Sequence, residues 1–240
     1  MAIVRKIPAK VLKVVKHTEN VCSYVFEPQK RVPRFKPGQF LHLALDPYNP
    51  SWQWPDSRVF SIANSPTRRE KIKITFAVKG KFTKRMYDEI EENDVIWLKL
   101  PYGSFTINEN SNEVILIAGG TGITPFLSFL EYMIDKKLNS NIKLYYGIRS
   151  EELILFDKLI AECEINIKNF KKNLFIENDT VNITDFQKSK LDIEKILDEV
   201  KDRGNANFYL SGPLEMVKKF KNFLINKKIN IQKVHTDEWE

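Results

Sequence analysis

Through the first hundred positions apolar residues come in short runs, several alternating with polar ones, whereas later they gather into solid blocks. Segments 11–15, 21–26, 39–45, 59–62, 72–78 and 95–100 are rich in Val, Ile, Leu and Phe, and their partial period of two is that of half-buried strands. Lys36-Pro-Gly38, Asp46-Pro-Tyr-Asn-Pro50, Glu92-Asn-Asp94 and Pro101-Tyr-Gly103 supply turn chemistry between them. Six strands so punctuated predict a small antiparallel barrel, interrupted by one helix over 83–91 that Thr83 can cap. A polar stretch, Asn108-Glu-Asn-Ser-Asn112, then precedes a different pattern. Apolar strands at 114–118, 142–146, 173–177, 207–210 and 231–235 alternate with helices over 124–137, 151–162, 191–201 and 213–226. That alternation predicts a parallel sheet covered on both faces. The expected architecture is therefore a six-stranded β-barrel domain over 1–109 and an α/β parallel-sheet domain over 110–240.

Two segments carry candidate chemistry. In Ile115-Leu-Ile-Ala-Gly-Gly-Thr-Gly-Ile-Thr-Pro125 an apolar strand runs into a glycine-rich turn and then a helix. Glycines let the backbone approach a ligand, and a helix start offers unpaired N–H groups suited to a pyrophosphate. Thr124 fits an N-cap and Pro125 the first helical position. Gly120-x-Gly122 is present, but Pro125 stands where the usual dinucleotide fingerprint has its third glycine. A strand–helix turn that needs glycine for geometry alone is the other reading. In Arg58-Val-Phe-Ser61, alternation sets Arg58, Phe60 and Ile62 on one face and Val59 and Ser61 on the other. A guanidinium fork can clamp a diphosphate, an aromatic ring can stack on a flat ring system, and a hydroxyl can bond a ring nitrogen. An ordinary strand with an exposed Arg and a core Phe is the competing reading.

The bulk numbers narrow the classes. The 240 residues are 42% hydrophobic and 29% charged, enough for a real core in one large or two ordinary domains. No apolar run is long enough to cross a bilayer, and the N-terminus lacks the pattern of a secretory signal, so a cytoplasmic location is expected. Cys22 and Cys163 lie far apart, and His17, His42 and His235 have no ligand spacing, which excludes a cysteine-held iron–sulfur cluster in this chain and argues against structural zinc. Cys22 reads as a small buried hydrophobe, Cys163 as packing on a helix and His42 as structural. The net charge of +7 fits a basic face that steers an acidic partner, or lysines dispersed over solvated faces. No dense basic run with interleaved aromatics points to nucleic acid. Trp52 and Trp54, in a Pro-rich loop before Arg58, read as loop packing, as cover for a cofactor or as a partner contact.

Taken in order, these motifs resemble the ferredoxin–NADP reductase-like family of flavoproteins. Arg58-Val-Phe-Ser61 is similar to its R-x-[YF]-S, and Gly119-Gly-Thr-Gly-Ile-Thr-Pro125 to its G-G-x-G-x-T-P. Gly80-Lys-Phe-Thr-Lys-Arg-Met86 resembles the segment that holds the flavin diphosphate at a helix start. Pro101-Tyr-Gly-Ser-Phe105 resembles the barrel's closing turn, and Tyr146-Gly-Ile-Arg149 the turn after the second strand of the nucleotide domain. Ser211-Gly-Pro213 with Met216 resembles C-G-P-x-x-M, and His235-Thr-Asp-Glu-Trp239 the acidic–aromatic C-terminus. The resemblance implies FAD on the barrel, held by Arg58, Phe60, Ser61, Ile62, Gly80, Lys81, Phe82 and Thr83, with Trp239 able to cover the flavin. It implies NADH or NADPH on the second domain, held by Gly120, Thr121, Gly122, Thr124, Pro125, Arg149, Gly212, Pro213 and Met216. It implies catalytic roles for Ser61, Ser211 and Asp237, and no metal. Hydride would pass from nicotinamide to flavin, and electrons would go on to a separate carrier such as a ferredoxin, a flavodoxin or an oxygenase component.

Three positions depart from the family pattern: Phe60 for Tyr, Ser211 for Cys, and Trp at 239. Glu151 and Glu152 follow Arg149, and the third strand of the second domain ends in Glu177-Asn-Asp179 without a basic pair, which favours NADH over NADPH. A reductase of free flavin or quinone with the same fold, and a non-catalytic nucleotide-binding interaction module, are the alternative functions.

Overall fold

The computed structural model describes residues 3–109, 111–178 and 185–237. The chain divides into two compact units, residues 1–107 with 127–132, and residues 108–126 with 133–240.

The first unit is a nearly closed antiparallel barrel of β1 (Arg5–Thr18), β2 (Val21–Pro28), β3 (Phe40–Ala44), β4 (Ser57–Ser61), β5 (Ile72–Ala77) and β6 (Val95–Tyr102), in the order β4-β3-β6-β1-β2-β5. The expected six-stranded barrel is therefore present. Ala63 N–H donates to the Lys73 carbonyl at 2.8 Å, drawing the β4 end of the sheet to β5. Strand β1 is longer than its apolar run because its first half pairs with β6, from Arg5 opposite Leu100 to Lys10 opposite Val95. Inward positions (Ile7, Val11, Leu41, Leu43, Ile74, Leu98) are fully buried, as alternation requires. Tyr24 stands among them, its ring edge-on to Phe76 at 5.3 Å and to Phe26 at 5.9 Å. Its hydroxyl donates to the Met86 carbonyl in α1 (Lys81–Glu89), which fastens that helix to the barrel.

Helix α1 begins earlier than expected, and Thr83 is not its cap. Gly80 occupies the N-cap position and Thr83 the third helical one, where its hydroxyl accepts from Gly80 N–H at 3.1 Å and Lys79 N–H at 2.9 Å. A Thr reaching back from inside the helix thus takes the place of a capping side chain that glycine lacks.

The second unit is a parallel sheet of β7 (Glu113–Gly119), β8 (Asn141–Ser150), β9 (Phe170–Asn178), β10 (Phe186–Lys188), β11 (Asn207–Ser211) and β12 (Val234–Asp237), ordered β10-β9-β8-β7-β11-β12. The four helices that follow its strands are α2 (Thr124–Lys136), α3 (Asp157–Asn166), α4 (Ile193–Asp198) and α5 (Leu214–Asn226). Strand β7 is buried on both faces, which explains its solid apolar run.

Several expected elements differ. A 3-10 turn over Gly120–Ile123 precedes α2, so Ile123 is the N-cap rather than Thr124, and Pro125 is the second helical residue. Thr124 instead donates its hydroxyl to the Thr121 carbonyl at 2.7 Å, closing the turn. The helix expected over 151–162 is a 3-10 turn, Glu151–Leu153, separated from α3 by a break in which Ile154 leaves helical geometry. Helix α4 is only six residues long, starting where Asp192 accepts from Glu194 N–H at 3.0 Å. The last strand starts at Val234 because Asn230 caps a 3-10 turn over Ile231–Lys233. Strand β10 had no counterpart in the hydrophobic pattern.

Replacing Tyr24 by Phe should cost about 1 kcal/mol, because the Met86 carbonyl keeps its bond from Ile90 N–H. Replacing it by Ala should cost roughly 3–5 kcal/mol through the cavity left between Phe26 and Phe76. Urea unfolding followed by tyrosine and tryptophan fluorescence checks both, and a similar loss for the two variants would contradict this division.

Candidate cofactor sites

In the barrel unit, β4 carries Arg58 out of the fold at the start of α1. Arg58 is about half exposed, donates to Asp56 Oδ1 at 2.6 Å and to the Ser57 carbonyl at 2.8 Å, and lies 5.2 Å from the centre of the Phe82 ring. The expected diphosphate ligands Arg58 and Gly80–Thr83 are thus brought together. The first bond of the helix runs from Lys84 N–H to the Gly80 carbonyl at 2.9 Å, leaving the N–H groups of Lys81, Phe82 and Thr83 outside the helical ladder. No acidic residue sits in this first turn, and a side chain at Gly80 would project into open space. Partial positive charge, unpaired donors and a guanidinium therefore face one open region, which fits an anionic diphosphate. The Thr83 hydroxyl, by contrast, is already engaged with the Lys79 and Gly80 backbone.

Phe60 and Ile62 are buried in the barrel core, with Phe60 at 5.6 Å from Phe76 in an edge-to-face contact. Ile62 N–H is held by the Gln39 carbonyl at 3.0 Å. Ser61 is 9% exposed, and its hydroxyl makes no hydrogen bond among the described residues. A nearly buried, unpartnered hydroxyl at a strand end is costly, and a ligand atom would relieve it. Just beyond, Asn64 organises the loop: its side-chain N–H groups donate to the carbonyls of Arg68 and Lys71, each at 3.0 Å, and its oxygen accepts from Lys73 N–H at 2.8 Å. Sequence reasoning passed over Asn64; an Asn two residues before Pro66 in Ala-Asn-Ser-Pro was the available signal.

In the second unit, β7 and β11 are neighbours, with Ala118 opposite Ser211, although β8 to β10 intervene in sequence. The strand order reverses there, which is where open α/β sheets bind ligands. Two glycine turns meet at these strand ends. A Cβ on Gly122 would lie 2.4 Å from Gly212 Cα, and one on Gly119 2.9 Å from Pro213 Cδ and 3.0 Å from Met216 Sδ. Gly120 takes φ +54°, and a Cβ there meets nothing. Gly120, Thr121, Gly122, Gly212, Pro213 and Met216 are therefore assembled at one place. Ser211 is also there, donating to Asp237 Oδ2 at 3.1 Å with both residues buried. Arg149 lies exposed near the end of β8, two residues past Gly147, which pairs with Gly119. Trp239 lies outside the described residues.

An FAD-binding domain model matches residues 5–145 and an oxidoreductase NAD-binding domain model matches residues 116–222. The chain belongs to the ferredoxin–NADP reductase-like family of FAD- and NAD-binding oxidoreductases. Among its family relatives, a probable flavin reductase of Photobacterium leiognathi is 29% identical over 95% of this chain and 96% of its own length. A flavohemoprotein of Oceanobacillus iheyensis is 26% identical over 95% of this chain, and a 2-halobenzoate 1,2-dioxygenase electron transfer component of Burkholderia cepacia is 26% identical over 87%. This chain spans only 57% and 59% of those two proteins. The fold is that of the FAD/NAD-binding domain of a nitric oxide dioxygenase from Vibrio cholerae (TM-score 0.84, 17% identity, 97% of this chain and 98% of that one). It is equally that of a ferredoxin NADP+ reductase from Neisseria gonorrhoeae with bound FAD and NADP (TM-score 0.80, 18% identity, 97% and 98%).

Gly122→Ala should weaken dinucleotide binding by about tenfold or more, since its Cβ meets backbone that must move. FAD content should be unchanged. NADH titration of the purified protein, with flavin released and quantified in parallel, checks the pair; unchanged NADH affinity would contradict the packing argument.

Proposed function

We propose that this protein is an FAD-dependent NAD(P)H reductase that hands electrons to a separate acceptor protein. The observation that carries the reading is Arg58 beside Phe82 at the start of α1, where two segments distant in sequence converge at a helix start whose first turn has no acidic residue. When bound, FAD supplies a ring that takes hydride from a nicotinamide and releases electrons singly. Arg58 and the first-turn amides of α1 would hold its diphosphate, as a fork of donors and a helix start together. The Ser61 hydroxyl would donate to a ring heteroatom and so orient the ring at the end of β4. The glycine turns at 119–122 and 211–213 would admit the dinucleotide pyrophosphate close to the backbone. Asp237 would hold the Ser211 hydroxyl in one orientation beside the nicotinamide.

NADH is the proposed donor. Arg149 is followed by two glutamates, and Glu177 near the end of β9 already pairs with Lys190 at 3.5 Å. Neither place offers the basic pair that a 2′-phosphate calls for. Cys22 and Cys163 are buried and form no disulfide among the described residues, in keeping with the cytoplasm as the proposed compartment.

A second reading, reduction of free flavin, is favoured by the Photobacterium relative, matched along nearly its whole length. Steady-state rates with free FMN against one-electron protein carriers separate the two.

The purified protein should be yellow, and anaerobic NADH should bleach it faster than NADPH. Arg58→Ala should lower FAD affinity by about tenfold or more. Ser61→Ala should keep FAD but slow bleaching by about tenfold, one hydrogen bond's worth. Protein that stays colourless with added FAD would overturn the reading.

A further inference from the structure

The outer face of the barrel across β1, β6 and β3 has an unusual charge pattern. Lys6 of β1 and Lys99 of β6 lie on that face, and none of the three strands contains Asp or Glu; farther along β1, Lys10 stands opposite Glu27 of β2. Lys6 lies directly opposite Lys99 on β6, and Lys99 opposite His42 on β3. Like charges in directly opposed positions destabilise a sheet, so a row of this kind persists against its own repulsion. Neither Lys6 nor Lys99 forms an ion pair among the described residues.

Aromatic rings lie against the two cations in place of counter-ions. Lys6 Nζ is 2.6 Å from the Tyr48 hydroxyl oxygen, to which it donates, and 4.4 Å from that ring's centre. Both lysines lie 5.8 Å from the Trp54 ring, and Lys99 is 5.5 Å from Tyr102. Tyr48 also packs on Trp97 at 5.3 Å and on Trp54 at 5.2 Å. The loop that brings Tyr48 and Trp54 here is pinned at its start by Asp46, which accepts from Arg85 at 2.8 Å. Near its end Trp54 Nε1 donates to Ser57 at 3.0 Å. Trp52, in the same loop, is 69% exposed. Rings and lysine stems are thus held in place before any partner arrives, which lowers the entropy lost on binding. Trp and Tyr at the centre with cations beside them is the composition of a binding hot spot, and two lysines without ion pairs make the surface complementary to an acidic one.

We propose that this face, centred on Lys6, Lys99, Tyr48, Trp54 and Trp97, docks the acidic surface of a one-electron carrier protein. Carboxylates of the carrier meet the two lysines and its apolar atoms cover the rings. The inference rests on the reductase reading and adds where the acceptor binds and what charge it bears. One NADH supplies two electrons and releases one proton, so two carrier molecules are reduced per NADH.

The test uses the FAD-loaded protein with an acidic [2Fe–2S] ferredoxin and an acidic flavodoxin as probes. Carrier turnover is followed by cytochrome c reduction, ferricyanide serves as the small acceptor, and calorimetry reads carrier binding without turnover. Lys6→Glu/Lys99→Glu should lower kcat/KM and affinity for at least one carrier by about tenfold or more at low salt, with flavin content and ferricyanide rate unchanged. Lys6→Gln/Lys99→Gln should lose less and flatten the salt dependence. Trp54→Ala should weaken carrier binding at all salt concentrations. A carrier affinity within about twofold of wild type in the charge-reversed variant would overturn the proposal. So would wild-type protein that reduces ferricyanide but neither binds nor reduces either carrier. Wild-type binding to phosphatidylserine vesicles, lost in the charge-reversed variant while its carrier affinity stays that of wild type, would give the face to a membrane instead. Absence of ferricyanide reduction sinks the reductase reading, and calorimetry still decides whether the face binds acidic carriers.

Discussion

The second unit depends on one steric constraint, the contact of bare backbone with bare backbone where β7 and β11 end. A side chain at Gly122 would meet the Gly212 backbone at 2.4 Å, and one at Gly119 would crowd the Pro213 and Met216 side chains at 2.9 and 3.0 Å. The parallel register continues to that point, with Ala118 opposite Ser211. Because the strand order reverses there, the chain leaves the two strands in different directions and opens a crevice between the turns that follow. Glycine is needed at 119, 122 and 212 to let the turns close on one another, and at 120 to take a positive φ. Helix α2 then starts behind a 3-10 turn that Thr124 closes on Thr121. Packing and ligand approach therefore ask for the same residue type, so the turn's glycines alone do not reveal a nucleotide. The adjacency of two such turns is what the proposed dinucleotide site rests on.

The barrel unit reaches its chemistry by allocating hydrogen-bonding groups. Thr83, Asn64 and Ile62 N–H are all engaged within the fold, and each fixes a piece of backbone around the end of β4 or the start of α1. Among the described residues, the Ser61 hydroxyl and the first three N–H groups of α1 are the groups left over. A fold that satisfies its neighbours so fully and leaves these open concentrates its remaining polar capacity at the mouth where Arg58 emerges. Rigid surroundings also keep that capacity oriented, which matters more for a ring that must be stacked than for one merely held. Ser211 is the converse case, a buried hydroxyl already bound to the Asp237 carboxylate.

What could be read from the chain follows the range of the interactions involved. Strands bounded by Pro, Gly and Asn turns stood out because those signals act within a few residues. Strand β10 did not, since three residues, Phe186–Lys188, carry no measurable period and are strands only by pairing with β9. Both threonines assigned as caps lie inside or at the first residue of their helices, because the N-cap rule expects a side-chain oxygen and the cap positions hold Gly80 and Ile123. The Ser211–Asp237 bond spans 26 residues and the Lys6–Lys99 pairing 93, so neither leaves a local pattern. Motif order suggested the site segments; which hydroxyl was engaged and which was left over among the described residues needed three dimensions.

The charge illustrates the same point at the scale of the molecule. A net +7 with lysines spread along the chain reads as solvated faces, and over much of the surface that is what the ion pairs show: Lys84 with Asp88, Arg85 with Asp46 and Glu89, Arg203 with Asp198. Such exposed pairs contribute little to stability, but they cancel local potential. Lys6 and Lys99, on strands without a carboxylate of their own, form no ion pair among the described residues. Sheet pairing sets Lys6, Lys99 and His42 in a row, and aromatic rings from a pinned loop stabilise the two lysines without neutralising them. A cation–π contact keeps the positive charge available where a salt bridge would hide it. The distribution of the charge, more than its sum, is what distinguishes a docking face from a soluble surface.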